Sequence, residues 1–320
     1  KAMTVLSALF SKAMQNELHR CAEVSLGCMA NLCVHTKVAE NIASEELGEL
    51  ADSILVGLTS SNGPVAVQAA RGARVLLSNS TLAGMVMQLR SQEAFTRYLF
   101  ILENSLLWEA VQQSCDTLSQ LLVLEMSPKD APLDERTEGG VAKPPAIERC
   151  VQERLLGVLA ERIKEASMAQ DIGDSKLDAA DDQGDTEKAL LSALCLADTL
   201  LTVLANNSAE SIVQGADGKE VAVASLHSLV SSSQPEVHAA ALEVVSSVLA
   251  VAEEHANDGP LSLASEVAEF ANHNLSVLDE HIRFLIQEGT EPREELLSEA
   301  ALSCAHRLMQ PQEPISRSRS

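Results

Sequence analysis

Aromatic side chains, strand patterns and long apolar runs are all scarce in this sequence, and each shortage narrows the range of folds. Aromatic residues make up 2% of the 320 positions, with one Trp and one Tyr. Leu, Val, Ala and Ile must therefore fill the interior, which suits closely packed helices. No Asn-Gly hairpin flanked by alternating β-branched residues occurs, and no run of 18 apolar residues. We therefore expect an all-α fold without a transmembrane helix.

Basic residues are also scarce, since 23 Lys and Arg residues stand against 46 Asp and Glu residues and the net charge is −23. Phosphate binding needs clustered Lys and Arg, so the sequence argues against nucleic acid and against an anionic membrane surface as partners. The seven cysteines are an odd number without the spacing of a disulfide framework. This pattern indicates reduced thiols and a location in the nucleus or the cytoplasm.

The common enzyme motifs are missing, including His-Glu-x-x-His, Gly-x-Ser-x-Gly and Gly-x-Gly-x-x-Gly. Gly218-Lys219 resembles the end of a phosphate loop, but Glu220 stands where Ser or Thr should bind magnesium. The aspartates between 171 and 185 lack the spacing of a calcium loop and are interpreted as a solvated acidic loop. We therefore predict no enzyme activity, no catalytic residues, no metal and no cofactor.

The stretch ELHRCAEVSLGCMANLC, residues 17–33, is the unit that the chain repeats. Spacings of three and four predict one apolar helical stripe, formed by Leu18, Cys21, Ser25, Cys28 and Leu32. Cys21 and Cys28 are seven residues apart with His19 nearby, whereas a zinc site needs closer paired ligands. Packing of the two thiols in the core is therefore the favoured interpretation.

The repeat is recognised by aligning later helices on Leu32, with equivalents at Leu77, Leu121, Leu201 and Val248. The steps are 45, 44, 80 and 47 residues, and we interpret 80 as two periods of 40. A period in the forties is typical of armadillo and HEAT repeats. Pro64 and Pro235 are placed to begin the second and fifth copies. We predict an all-α, armadillo/HEAT-like α-solenoid, an α-α superhelix with the five aligned residues buried.

The distribution of Pro, Gly and acidic segments along the chain predicts one domain over residues 1–309. Pro and Gly clusters interrupt it at 127–145, and an acidic stretch interrupts it at 168–186. Neither segment has enough apolar surface to offset backbone ordering, so both are expected to be flexible loops. Residues 310–320, ending Arg-Ser-Arg-Ser, are expected to be a disordered tail.

The order of these units resembles the serum-amyloid-A-like 1 protein family, an armadillo-type family. The stretches that carry the resemblance are HRCAEVSLGCMANLCVHTKVAENIAS, AFTRYLFILENSLLWEAVQQSCDTLSQLLVLE, VQERLLGVLAERI and LSALCLADTLLTVLANNSAESIV. It covers residues 18–309, mostly as pattern and order of elements. The resemblance implies an armadillo-type fold, a nuclear location and a role in promoting cell proliferation, and it supplies no catalytic residues.

The leading functional hypothesis is a non-enzymatic scaffold that holds a protein or peptide on the concave face of the array. The first and third copies place polar side chains on that face, and the candidate partner-binding residues are Glu23, Asn31, Gln112, Asp116 and Gln120. In the fourth copy the same column is Ser192, Leu196 and Leu200, which is either an apolar part of the groove or core.

Two other functions remain as alternatives. A transport receptor that carries peptides would need a ladder of Asn residues preceded by Trp. The aligned positions here are Asn31, Leu76, Gln120, Leu200 and Ser247, so one Asn remains. An enzyme with an unrecognised site is the other alternative, and no residue constellation supports it.

Overall fold

The computed structural model describes residues 2–35, 44–78, 92–126, 149–173, 180–206, 216–232 and 234–254. These residues form helices and short turns, and no strand occurs among them, so the predicted all-α class is confirmed. The helices are α1 (Ala2–Gln15), α2 (His19–Val34), α3 (Ser44–Leu58), α4 (Gly63–Leu77), α5 (Gln92–Asn104), α6 (Trp108–Met126), α7 (Arg149–Gly173), α8 (Ala180–Asn206), α9 (Ala216–Ser231) and α10 (Pro235–Glu254).

Two of the helix starts follow the predicted proline signals. The Asn62 side chain caps α4, since its Oδ1 accepts a hydrogen bond of 3.3 Å from the backbone N–H of Val65. Pro64 lies in the first turn of α4, where a backbone N–H has no helical partner and its loss is harmless. Pro235 is the first residue of α10. Both prolines therefore begin helices as predicted.

The helices pack in pairs and in two rows. Each odd-numbered helix packs against the helix that follows it, from α1 with α2 to α9 with α10. The even-numbered helices also contact one another in chain order: α2 with α4, α4 with α6, α6 with α8, and α8 with α10. The odd-numbered helices do the same. We call these sets the even row and the odd row, and the five even helices are the five aligned copies.

The core contains four of the five aligned residues. Leu121, Leu201 and Val248 are completely buried, and Leu77 is also buried. Leu32 was also predicted to be buried, but it is only partly buried and packs against the core. Three aromatic residues, Tyr98, Phe10 and Phe95, are among the largest fully buried side chains, whereas Phe100 is 52% exposed.

Of the five residues in the predicted stripe on α2, Ser25 is buried and Leu32 is partly buried, whereas the other three are exposed. The structure buries a neighbouring set of residues: Ala22, Ser25, Leu26, Met29, Ala30 and Cys33. Leu18 is 54% exposed, and Cys21 and Cys28 are exposed free thiols. The expected packing of Cys21 and Cys28 in the core is therefore wrong. The reason is that α2 packs between α1 and α4, and the buried arc faces both.

The interpretation of the 80-residue step as two periods is also wrong, because α6 packs directly against α8. The step is one period that also contains α7, a helix of the odd row. α7 extends to Gly173 and α8 begins at Ala180, so helix covers both ends of the range 168–186, where we expected a loop. The range 127–145 and the tail 310–320 lie outside the described residues.

Candidate partner-binding surface

Polar side chains connect the even helices to one another. We use the name polar row for Asn31 on α2, Arg71 and Arg74 on α4, Asp116 and Gln120 on α6, Asp198 on α8, and Glu243 and Ser247 on α10. Hydrogen bonds or an ion pair cross three of the four junctions between neighbouring even helices. The row is therefore built by the stacking of the helices.

The junction of α2 and α4 contains a guanidinium group held by neutral acceptors. Arg71 Nη2 donates to Asn31 Oδ1 at 2.9 Å, and Arg71 Nη1 donates to Gln68 Oε1 at 3.4 Å. Gly27 allows this approach, since a Cβ added there would lie 3.2 Å from Gln68 Oε1. None of the carboxylates among the described residues forms an ion pair with Arg71, so its charge is available to a partner.

The junction of α4 and α6 contains an ion pair. Arg74 Nη1 donates to Asp116 Oδ2 at 3.0 Å, with 36% and 25% of the two side chains exposed. Beside it Gln120 Nε2 donates to Ser78 Oγ at 3.5 Å. Such a half-exposed pair contributes little to stability, but it fixes the position of both charges on the surface.

The far end of the row is acidic. Ser247 Oγ on α10 donates to Asp198 Oδ1 on α8 at 2.7 Å. Partial burial, and then the charge of Asp198, raise the pKa of Glu243, although much of the residue remains exposed. Burial, and then Glu243, Asp198 and Asp116, raise the pKa of the Cys195 thiol to about 11. The Cys195 thiol is therefore protonated at neutral pH and is a weak nucleophile.

The predicted site residues divide into three groups. Asn31, Asp116 and Gln120 lie in the polar row and contact a neighbouring even helix. Glu23 pairs with Arg20 on its own helix at 2.6 Å. Gln112 is half-buried on α6.

The groove column predicted in the fourth copy is wrong. Leu196 and Leu200 are completely buried and Ser192 is 9% exposed, so the alternative that these residues are core is confirmed. α8 packs against α6, α7 and α10, and contact on three sides leaves a narrow exposed strip. The strip is occupied by polar residues one or two positions away, including Asp198 and Thr202.

Sequence analysis missed Arg71, Arg74, Asp198 and Glu243. In the second and fourth copies the exposed charge lies three residues before the aligned leucine, at Arg74 and Asp198. In the third and fifth copies it lies five residues before the aligned position, at Asp116 and Glu243. The predicted column counts back in steps of four residues from the position just before each aligned residue. These steps reach the exposed charge in the third and fifth copies but miss it in the second and fourth.

The described residues contain no metal-binding group, no phosphate loop at Gly218-Lys219 and no membrane-spanning helix. No group of three His, Cys, Asp or Glu side chains among them is placed to hold a metal ion. Gly218 and Lys219 lie inside α9, so the segment is not a phosphate loop. None of the helices in the described ranges is long and apolar enough to cross a membrane.

Comparison of the chain with models of known protein families and with curated proteins finds no match.

Proposed function

We propose that this protein is a non-enzymatic interaction scaffold of the armadillo or HEAT type, and that the polar row binds its partner. The observation that supports this proposal is the stacking of the five even helices in chain order. Stacked repeats place equivalent side chains side by side, which creates a long surface for an extended segment or a helix. A curved solenoid would make this surface the concave one.

The charges along the polar row suggest the orientation of the partner. Arg71 at the α2 end is held by amide oxygens, whereas Asp198 and Glu243 at the α10 end have no cationic partner among the described residues. A partner segment with a carboxylate near α4 and a basic side chain near α8 would complement both ends. Such contacts contribute to association rate and specificity more than to affinity.

The biological setting belongs to the same proposal. The odd number of cysteines and the exposed thiols of Cys21 and Cys28 suit a reducing compartment, the nucleus or the cytoplasm. The resemblance to the serum-amyloid-A-like 1 proteins adds a nuclear location and a role in promoting cell proliferation.

A charge reversal at the two ends of the polar row tests the proposal. The variant Arg71→Glu with Glu243→Lys keeps the net charge and changes side chains that lie outside the core. We expect the circular dichroism spectrum to stay close to that of the wild type and thermal unfolding to remain cooperative. Recovery of specific partners from cell extract, measured by quantitative mass spectrometry, should fall at least about tenfold if about 1.4 kcal/mol of binding free energy is lost.

The matched control is Glu161→Lys with Lys164→Glu on α7, a helix of the odd row. Both residues are exposed, and the pair also leaves the net charge unchanged. This control should recover the same partners as the wild type. If the row variant and the control recover identical partners in identical amounts, the polar row is not the binding surface.

A further inference from the structure

A second surface feature lies on the odd row, where α1 and α3 enclose an open groove of about 330 Å³. The described residues that line it all belong to these two helices. The groove is at the lower end of the volumes typical of small-ligand sites and would accept one long side chain. It is formed without any residue of the polar row, so its chemistry can be considered separately.

Most hydroxyl groups of the groove already donate a hydrogen bond within the protein. Thr4 Oγ1 donates to Glu46 Oε1 at 3.0 Å, Ser7 Oγ donates to Met29 Sδ at 3.4 Å, and Ser53 Oγ donates to the Glu49 carbonyl oxygen at 2.8 Å. Three of the four hydroxyls in the lining are used in this way. A hydroxyl whose proton is engaged offers lone pairs to a ligand, so these groups act as acceptors.

The charged groups of the groove are also hydrogen-bond acceptors, because they are carboxylates. The carboxylates of Glu49 and Asp52 line it, and none of the Lys, Arg or His side chains that the structure describes does. None of the ion pairs within the described ranges includes either carboxylate. Carboxylates accept hydrogen bonds and donate none when ionised. The groove therefore presents several acceptors and two carboxylates, with no compensating cation among the described residues.

The remaining walls are apolar. Phe10 is buried beneath the groove, and Val56 at its side is 46% exposed. A ligand that complements all of these surfaces has an aliphatic stem and a compact cationic head with several N–H donors. The lysine side chain has this chemistry, because its four-carbon stem packs on apolar walls while the ammonium group carries three donors and no acceptor.

We propose that the groove between α1 and α3 binds a lysine side chain of a partner protein. The ammonium group lies between the α3 carboxylates of Glu49 and Asp52, and the aliphatic stem packs against the exposed side chain of Val56. The acceptors lie on two helices rather than in one plane, which suits a point charge better than the flat fork of arginine. This second contact is independent of the polar row.

The test uses the full chain and a lysine compound small enough to enter the groove. Nα-acetyl-lysine-N-methylamide is titrated into deuterated, ¹⁵N-labelled protein, and amide shifts in α1 and α3 are followed. The proposal predicts saturable shifts for Ala8, Ser11 and Asp52, residues of the groove lining. The same compound acetylated at Nε, which keeps the stem and loses the charge, should bind at least about fivefold more weakly.

Two double variants separate the groove from general electrostatics. Glu49→Gln with Asp52→Asn should weaken binding of the lysine compound at least about fivefold. Glu109→Gln with Glu161→Gln removes the same charge at exposed positions on α6 and α7 and should leave binding unchanged. Equal weakening in both double variants, equal binding of the Nε-acetylated compound, or the absence of saturable groove shifts would each overturn the proposal.

Discussion

At the scale of single residues, the acidic end of the polar row works against the stability of the fold. Glu243 is partly desolvated and lies near Asp198, and both effects raise the pKa of its carboxyl group. A carboxyl whose pKa is higher in the folded state binds protons more tightly there than in the unfolded chain. Stability therefore falls as pH rises above the ordinary Glu pKa of 4.5. Surfaces that bind partners often retain such unfavourable charge.

This reasoning predicts the effect of Glu243→Gln. The variant should be more stable than the wild type at pH 7, because it removes a charge that the folded state disfavours. The difference should shrink as pH falls and disappear below the ordinary Glu pKa, where the wild-type carboxyl is neutral in both states. Melting temperatures of both proteins from pH 4 to pH 7.5 measure this. A difference that is constant or larger at low pH would show that the charge of Glu243 is not the cause.

A second residue-scale prediction concerns the core. Leu121 is completely buried on α6, so Leu121→Ala should reduce the free energy of unfolding by about 2–5 kcal/mol. Leu32 is partly buried on α2, and Leu32→Ala should cost clearly less. Urea unfolding of both variants checks the order. A loss below about 1 kcal/mol for Leu121→Ala would mean that this side of α6 is not packed as described.

At the scale of elements, one glycine allows three helices to meet. A Cβ added to Gly57 on α3 would lie 2.8 Å from the Cβ of Ala69 on α4 and 2.9 Å from Leu26 Cδ1 on α2. Gly48 lies on the same helix, and a Cβ there would have no atom within 4 Å. The close packing of the first two helix pairs, α1 with α2 and α3 with α4, therefore depends on the absence of a side chain at Gly57.

The two glycines should respond with opposite sign to the same substitution. Gly57→Ala should destabilise the protein by about 1–3 kcal/mol, because the added methyl group forces packed helices apart. Gly48→Ala should stabilise it by up to about 1 kcal/mol, since Ala is the better helix former and space is available. Chemical denaturation of both variants decides the matter. Stabilisation by Gly57→Ala would show that α2, α3 and α4 do not approach so closely.

Helix positions were largely predictable from sequence, whereas helix rotation was less so. The proline signals located the starts of α4 and α10 because they act through local backbone chemistry. On α2, however, two apolar stripes lie side by side, one containing Cys21 and Cys28 and the other Leu26 and Met29. Periodicity alone does not choose between two such stripes. Contacts with α1 and α4 make the choice, and they are long-range.

At the scale of the whole molecule, the five residues aligned in the sequence lie on five helices that contact one another in chain order. It failed at the 80-residue step, where α6 and α8 are neighbours despite their separation in sequence. Three of the five predicted site residues, Asn31, Asp116 and Gln120, lie in the polar row. The predicted site residues do not include Arg71 and Arg74, which lie on the second copy. The exposed face of this copy is displaced relative to that of the third copy, and sequence spacing does not reveal the displacement.

The central claim is that five even helices stack in order and carry one continuous binding surface, and a distance measurement tests it most directly. Spin labels at Asn31→Cys on α2 and Ser247→Cys on α10, with the other exposed cysteines changed to serine, are separated by four helix-to-helix steps. Neighbouring packed helices lie about 8–10 Å apart, so pulsed electron paramagnetic resonance should give about 30–40 Å. A main distance below about 20 Å would mean that the helices fold back into a bundle, and would contradict the account.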